Sequence, residues 1–246
     1  MKMKDLKLAQ VRRGERFTLD GVEFVKLEDD LDAAFVVATD TLPECCQFED
    51  DDAEREDHNN YAGSLLSKTV ERWLRDKHPA IFSAVVERPI DLTTMDGMTD
   101  YGKPLAVVRA LTIDEYRKHR SILPLTSKPY WLATGWTTNS SPHSNAFNAY
   151  YILTGGTVDR SFVYNANFAP RPALYLKSSI LVSVETEDEG KALSEKVNCP
   201  GGAREAGLGH YSDTDLKTGS RHNRNQDRSG QQDVDPRRCS QHSESL

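Results

Sequence analysis

Apolar and polar positions alternate early in the chain. Phe17 and Leu19 alternate with polar neighbours, Asp20-Gly21 is a two-residue turn signal, and Val22, Phe24, Val25 and Leu27 follow, so residues 16–27 are predicted to form a β-hairpin. Residues 32–39, Asp-Ala-Ala-Phe-Val-Val-Ala-Thr, have the short, β-branched character of a strand buried on both faces, closing a small meander. The period then lengthens. Leu66, Val70, Trp73 and Leu74 recur at three- and four-residue spacing, which predicts a helix that Pro79 ends, with Trp73 in the core and residues 81–86 adding a short helical turn. Residues 90–94 and 105–111 read as strands around the Asp96-Gly97 and Tyr101-Gly102 turns. Thr112-Ile-Asp-Glu115 is a capping box that starts a second helix, which runs to Ile122 and is stopped by Pro124.

Strand signals return at residues 130–134, 148–154 and 157–162, with Gly155-Gly156 as the hairpin turn between the last two. A further strand, Ala173-Leu-Tyr-Leu, follows Pro170-Arg171-Pro172, which lacks two ladder donors and favours a bend over a central strand position. The segment between these strands is rich in Asn, Ser, Thr, Tyr and Gly. That composition suits an adaptable contact surface. The same residues also suit turns and sheet edges. Loops of this length between strands are more often functional than idle. Tyr150 and Tyr151 are adjacent in a strand and point to opposite faces, so one is expected beside Trp131. Arg171 is expected to bond loop carbonyls at the base of the loop, a structural role.

From residue 185 to 246 the only aromatic residue is Tyr211, and the segment holds too little apolar surface to offset the entropy of ordering. It is expected to be a disordered tail, with His222 and His242 solvated; a reading-frame change near its start would give the same loss of pattern. The whole chain has 246 residues, a formal net charge of −7 and a pI of about 5.5, which argues against a phosphate-neutralising surface and therefore against nucleic acid. No apolar run approaches the roughly 20 residues of a membrane span, and the first residues lack the apolar stretch of a signal peptide. Cytoplasmic synthesis without a signal peptide and no membrane insertion are expected. Cys45, Cys46, Cys199 and Cys239 form neither a disulfide framework nor paired zinc spacing. The acidic run at residues 49–57 lacks the glycine of a calcium loop and is expected to be solvated. No metal or cofactor is expected.

Five segments together resemble a known family: Arg16-Phe-Thr-Leu-Asp-Gly-Val-Glu-Phe-Val, Asp100-Tyr-Gly, Leu111-Thr-Ile-Asp-Glu-Tyr-Arg, Tyr130-Trp-Leu-Ala-Thr and Arg171-Pro-Ala-Leu-Tyr-Leu. They are similar, in this order and over residues 10–183, to the DUF6273 domain family of Firmicutes phages and prophages. The aromatic opening and the Arg-Pro-Ala close also resemble the variable regions of diversity-generating retroelement proteins, with Ala169-Pro170 where those have Gly-Val. The resemblance implies an α+β, C-type-lectin-like (formylglycine-generating-enzyme-like) domain over residues 1–184, with antiparallel strands and two main helices, followed by the tail at 185–246.

The function expected from these readings is non-enzymatic: a virion-associated module that recognises a cell-surface protein or glycan, with other virion proteins as further partners. Trp136, Tyr150, Tyr151, Tyr164 and Phe168 are the expected anchors, and Asn139, Ser141, His143, Asn145, Asn148, Asn165 and Asn167 the polar contacts. The alternatives are a structural virion or assembly protein without ligand recognition, and an oxidative enzyme. Against the last, a thiolate at Cys45 or Cys46 would lie near Glu44, Glu49 and Asp50, which raise its pKa. His143 among serines does not amount to a catalytic triad.

Overall fold

In the computed structural model, which describes residues 2–186, the chain begins with an edge strand that its charge-rich sequence conceals: β1 (Lys2–Lys7), followed by a 3₁₀ turn at Leu8–Gln10. The expected hairpin follows as β2 (Arg16–Leu19) and β3 (Val22–Asp30). Its turn residues Asp20 and Gly21 both take positive φ, 50° and 76°, matching a tight hairpin whose twist fits that of its strands. All six residues of β4 (Ala33–Ala38) are buried. Helices α1 (Leu65–Lys77) and α2 (Pro79–Ala84) are joined at His78, so Pro79 not only stops the first helix but occupies the first turn of the second. The expected strands around residues 90–94 and 105–111 shrink to a two-residue ladder, β5 (Arg88–Pro89) with β6 (Leu105–Ala106).

The capping box forms at α3 (Ile113–His119): Thr112 Oγ1 accepts from Glu115 N at 3.3 Å and Glu115 Oε2 accepts from Thr112 N at 2.9 Å. The helix is shorter than expected. Then come β7 (Tyr130–Gly135), β8 (Asn148–Ile152), β9 (Val158–Phe162), β10 (Ala173–Lys177) and β11 (Leu181–Thr186). The last of these was not expected, and it carries ordered structure through Glu185 and Thr186. The remainder of the expected tail, residues 187–246 with Tyr211, His222 and His242, lies outside the described residues.

The architecture is α+β, with mostly antiparallel strands and, among the described residues, three α-helices instead of two. The main sheet has the order β1-β11-β2-β3-β4-β10, and β7-β8-β9 form a separate three-stranded sheet. As its sequence suggests, β4 is covered on both faces. Ala34, Val36 and Ala38 pack with Val70 and Leu74 of α1 and Ile81 of α2, while Phe35 and Val37 pack with Ile113 and Tyr116 of α3 and Leu132 of β7. A third apolar cluster, including Phe48, Leu66, Trp131 and Phe168, lies on the other face of the three-stranded sheet.

Two buried cations tie these layers together. The Arg109 guanidinium makes two 2.6 Å bonds to the Glu115 carboxylate and lies over the Phe35 ring, 4.7 Å from its centroid. Arg171 donates to the carbonyls of Ala38 (2.9 Å), Thr39 (3.1 Å) and Pro124 (3.2 Å) and to Tyr130 Oη (3.1 Å), which anchors the start of β10. A buried charge is tolerable only when its donors are met in this way.

The acidic run departs from expectation. Glu49 is buried and paired with Arg55, and its Oε1 accepts from Leu65 N at the start of α1. Arg55 in turn donates to the carbonyls of Asn60 and Ala62. One internal cation therefore folds this segment over the helix, and only the other carboxylates remain for water.

Candidate functional site

Strand alternation divides the candidate residues between two faces of the small sheet. In β8 and β9, Asn148 stands opposite Phe162, Tyr150 opposite Arg160, and Tyr151 opposite Asp159. Residues paired in this way share a face, and neighbours in sequence do not. On the inner face Tyr151 meets Trp131, stacks on Phe168 with centroids 4.0 Å apart, and points its hydroxyl at Asp159. Trp131 Nε1 donates to Cys46 O at 2.9 Å. On the other face Arg160 lies over the Trp136 ring beside Tyr150, and Phe162 is 63% exposed.

The loop from Thr137 to Phe147 is pinned at both ends by one buried side chain from elsewhere in the chain. Asn59 is fully buried, and its Nδ2 donates to Thr137 O (2.9 Å) and Asn148 O (2.8 Å), one carbonyl at each end of the loop. Its Oδ1 accepts from Tyr101 Oη at 2.6 Å. Burial raises the Tyr101 pKa, so this hydroxyl keeps its proton and remains a donor. Gly135 permits the approach, because a Cβ there would come within 2.9 Å of Asn59. Inside the loop, Asn145 N donates to Thr137 Oγ1 (2.6 Å), and Thr138 Oγ1 donates to Asp100 outside it (2.5 Å).

The candidate residues occupy different environments. Asn139 and His143 are exposed in the loop, and Asn139 Nδ2 reaches Asp57 Oδ1 at 2.9 Å. Asn145 is half-buried and accepts from Asn148 Nδ2 at 2.7 Å. Trp136, Tyr150, Tyr151, Tyr164 and Asn165 are half-buried, and Asn167 is exposed. Tyr164 Oη lies 3.0 Å from His58 Nδ1. Asn165 donates to Ser161 Oγ and accepts from Asn167 N. Three expected contacts are not presented to solvent. Phe168 is part of the apolar core against Trp131, Ser141 is buried under the loop, and Asn148 spends its amide on Asn145.

Several participants were not evident from the sequence. Asn59 sits in a polar stretch with no pattern to mark it. Arg160 and Phe162 follow from the pairing register, which places them beside Tyr150 and Asn148. Phe147 is 43% exposed and stacks on His58, at 4.9 Å between centroids, beside a shallow groove of about 430 Å³ that Asn139 and Glu54 also line.

The hydrogen bond between His143 and a serine hydroxyl runs from its backbone N to Ser141 Oγ at 3.4 Å, and among the described residues its ring makes no hydrogen bond to a serine of the kind base catalysis needs. The Cys46 thiol is pushed up to about 12, first by burial and then by neighbouring Cys45, which disfavours the thiolate. The cause is therefore not the acidic neighbours named from the sequence. Among the described residues no three His, Cys, Asp or Glu side chains gather as metal ligands, and no helix is long and apolar enough to cross a membrane. No protein-family model, curated protein or solved structure matches the chain.

Proposed function

We propose that this chain is a non-enzymatic binding module of phage or prophage origin, of the DUF6273 type, with a C-type-lectin-like fold and a virion-associated role. Its ligand is a cell-surface protein or glycan. The observation that carries the reading is the Asn59 clamp: the loop is fixed at both ends by a buried amide, yet Asn139, Ser140, His143 and Ser144 remain exposed. Holding a polar loop in one shape before contact lowers the ordering cost of binding. Beside it, Trp136, Tyr150 and Phe162 supply aromatic area that loses little rotamer freedom on contact. The buried Phe168, Ser141 and Asn148 support this surface from beneath.

The test is retention of the purified protein on host-cell envelopes and on a glycan array. A variant combining Trp136→Ala, Asn139→Ala and His143→Ala should fold normally and lose retention. If it is retained as well as the unaltered protein, recognition does not run through this surface. A structural virion or assembly role draws on a different feature, the outer edge of β1, with which no strand pairs among the described residues and where Met3 is 53% exposed. That reading predicts self-association or co-assembly that is broken by Met3→Lys and unaffected by the loop variant.

A further inference from the structure

We propose a second binding site, on the α1 side of the molecule, that takes a single pyranose ring of a neutral glycan. A pocket of about 210 Å³ lies between α1, the segment that follows β4 and the turn before β10, with Trp73, Leu42, Pro43 and Pro170 as its apolar surfaces. Trp73 was expected in the core, but it is only half-buried, and His78 backs its ring at 4.7 Å. The walls are fixed. Leu42 N donates to Pro170 O at 2.8 Å, and Pro43 O accepts from Lys128 Nζ. A rigid, half-open indole with proline edges offers the flat apolar floor on which the C–H face of a sugar ring rests.

The polar groups narrow the ligand class. Glu44, Arg72, Asp76 and Lys77 line the same pocket, and among the described residues none of their side chains has a hydrogen bond or ion pair within the protein. Other charges on this helix behave differently: Arg75 pairs with Glu71 one turn earlier at 2.7 Å, whereas Arg72 and Asp76, also four residues apart, do not pair. Two carboxylates and two cations leave no net charge to favour an ion. They do supply acceptors and donors around one aromatic floor, which suits vicinal hydroxyls that both give and receive hydrogen bonds. The volume is below the roughly 300 Å³ at which drug-sized pockets begin, so it accommodates one ring and not a buried chain. This site shares no residue with the Asn59-clamped loop and does not depend on the function proposed for it.

Saturation-transfer NMR on the full chain tests the assignment, with methyl β-D-glucopyranoside, methyl α-D-mannopyranoside and N-acetyl-D-glucosamine as probes. At least one should receive saturation. The signal should disappear in Trp73→Ala and fall roughly tenfold in Glu44→Ala and Asp76→Ala, where a polar partner is removed. It should persist in Trp136→Ala, which alters only the other site. Because Trp73 also touches the core, the two exposed carboxylate variants keep the test valid if Trp73→Ala misfolds. Absence of transfer to all three sugars in the folded chain overturns the proposal. So does an unchanged signal in Asp76→Ala and Glu44→Ala, or transfer to a Lys-Glu dipeptide in place of the glycosides, which would make the ligand a zwitterionic peptide.

Discussion

In the six-stranded sheet β4 is buried along its whole length and held from both faces by apolar side chains, whereas the loop of the three-stranded sheet is held by a few hydrogen bonds, chief among them those from the buried amide of Asn59. Apolar packing is non-directional and spread over many contacts, so the main sheet fixes its strands without selecting any single atom. A buried amide is directional. It specifies where two particular carbonyls sit and leaves the outward side chains free to vary. The contrast shows how one chain can keep a robust body and still hold a polar surface in a defined shape.

The strongest challenge to the body is Phe35→Ala, which removes a fully buried ring stacked on Tyr175 at 4.6 Å and lying under Arg109. It should cost about 3–5 kcal/mol in chemical denaturation, as deletion of a buried aromatic ring generally does. Asn59→Ala should cost less, about 1–3 kcal/mol, by leaving the Thr137 carbonyl and the Tyr101 hydroxyl without their Asn59 partner, while Asn148 O keeps its bond from Trp136 N. Its signature should be local: amide hydrogen exchange should accelerate in residues 136–148 and remain slow in β3 and β4. Equal acceleration in both sheets would show that the two regions are not held independently.

Acid should act on the seam between the regions. His119 is fully buried on α3, its ring nitrogens have no hydrogen-bond partner, and burial lowers its pKa below the ordinary 6.5, with Glu28 opposing that shift. The unfolded chain therefore takes up this proton more readily than the folded one, so the contribution is intact above pH 6.5 and is lost as the pH falls toward the depressed folded value. His119→Leu should flatten this part of a stability-versus-pH curve. An unchanged slope in that variant would assign the pH dependence to other groups. The smallest effect belongs to the exposed Glu71 and Arg75 pair on α1: Glu71→Ala, which leaves Arg75 over the Phe82 ring, should change stability by only about 0.3–0.5 kcal/mol, and added salt should erase the difference.

The same contrast explains which parts of the structure the sequence reveals. Strands β2 to β4 and helix α3 are legible because side-chain periodicity and capping chemistry are local, and each has one dominant reading. β1 is not: Lys-Met-Lys-Asp-Leu-Lys is suited to a sheet edge, and its strand character comes from pairing with β11, far away in sequence. Residues 90–94 look like a strand, yet the regular ladder covers only Arg88 and Pro89; beyond it Ile90 and Leu92 are buried and their N–H groups donate to Pro104 O and Gly102 O without forming a continuous strand pair. The composition of the loop pointed to a display surface but not to its arrangement. Alternation separates Tyr150 from Tyr151 in advance, but the burial of Phe168, Asn148 and Ser141 depends on residues such as Trp131 and Asn145 meeting them in space. Asn59 carries no local signal, because its role comes from carbonyls 78 and 89 residues downstream.

Antiparallel pairing of β1 with β11 sets Lys2 directly across from Thr186. The two ends of this body thus leave from adjacent points on one sheet margin, the geometry that lets a domain be spliced into a host loop, or rejoined head to tail and reopened elsewhere. A circular permutant joining these points and reopened at the exposed Asp96-Gly97 turn should retain the native circular dichroism spectrum, and the body could be transplanted as a cassette with both attachments on the same corner.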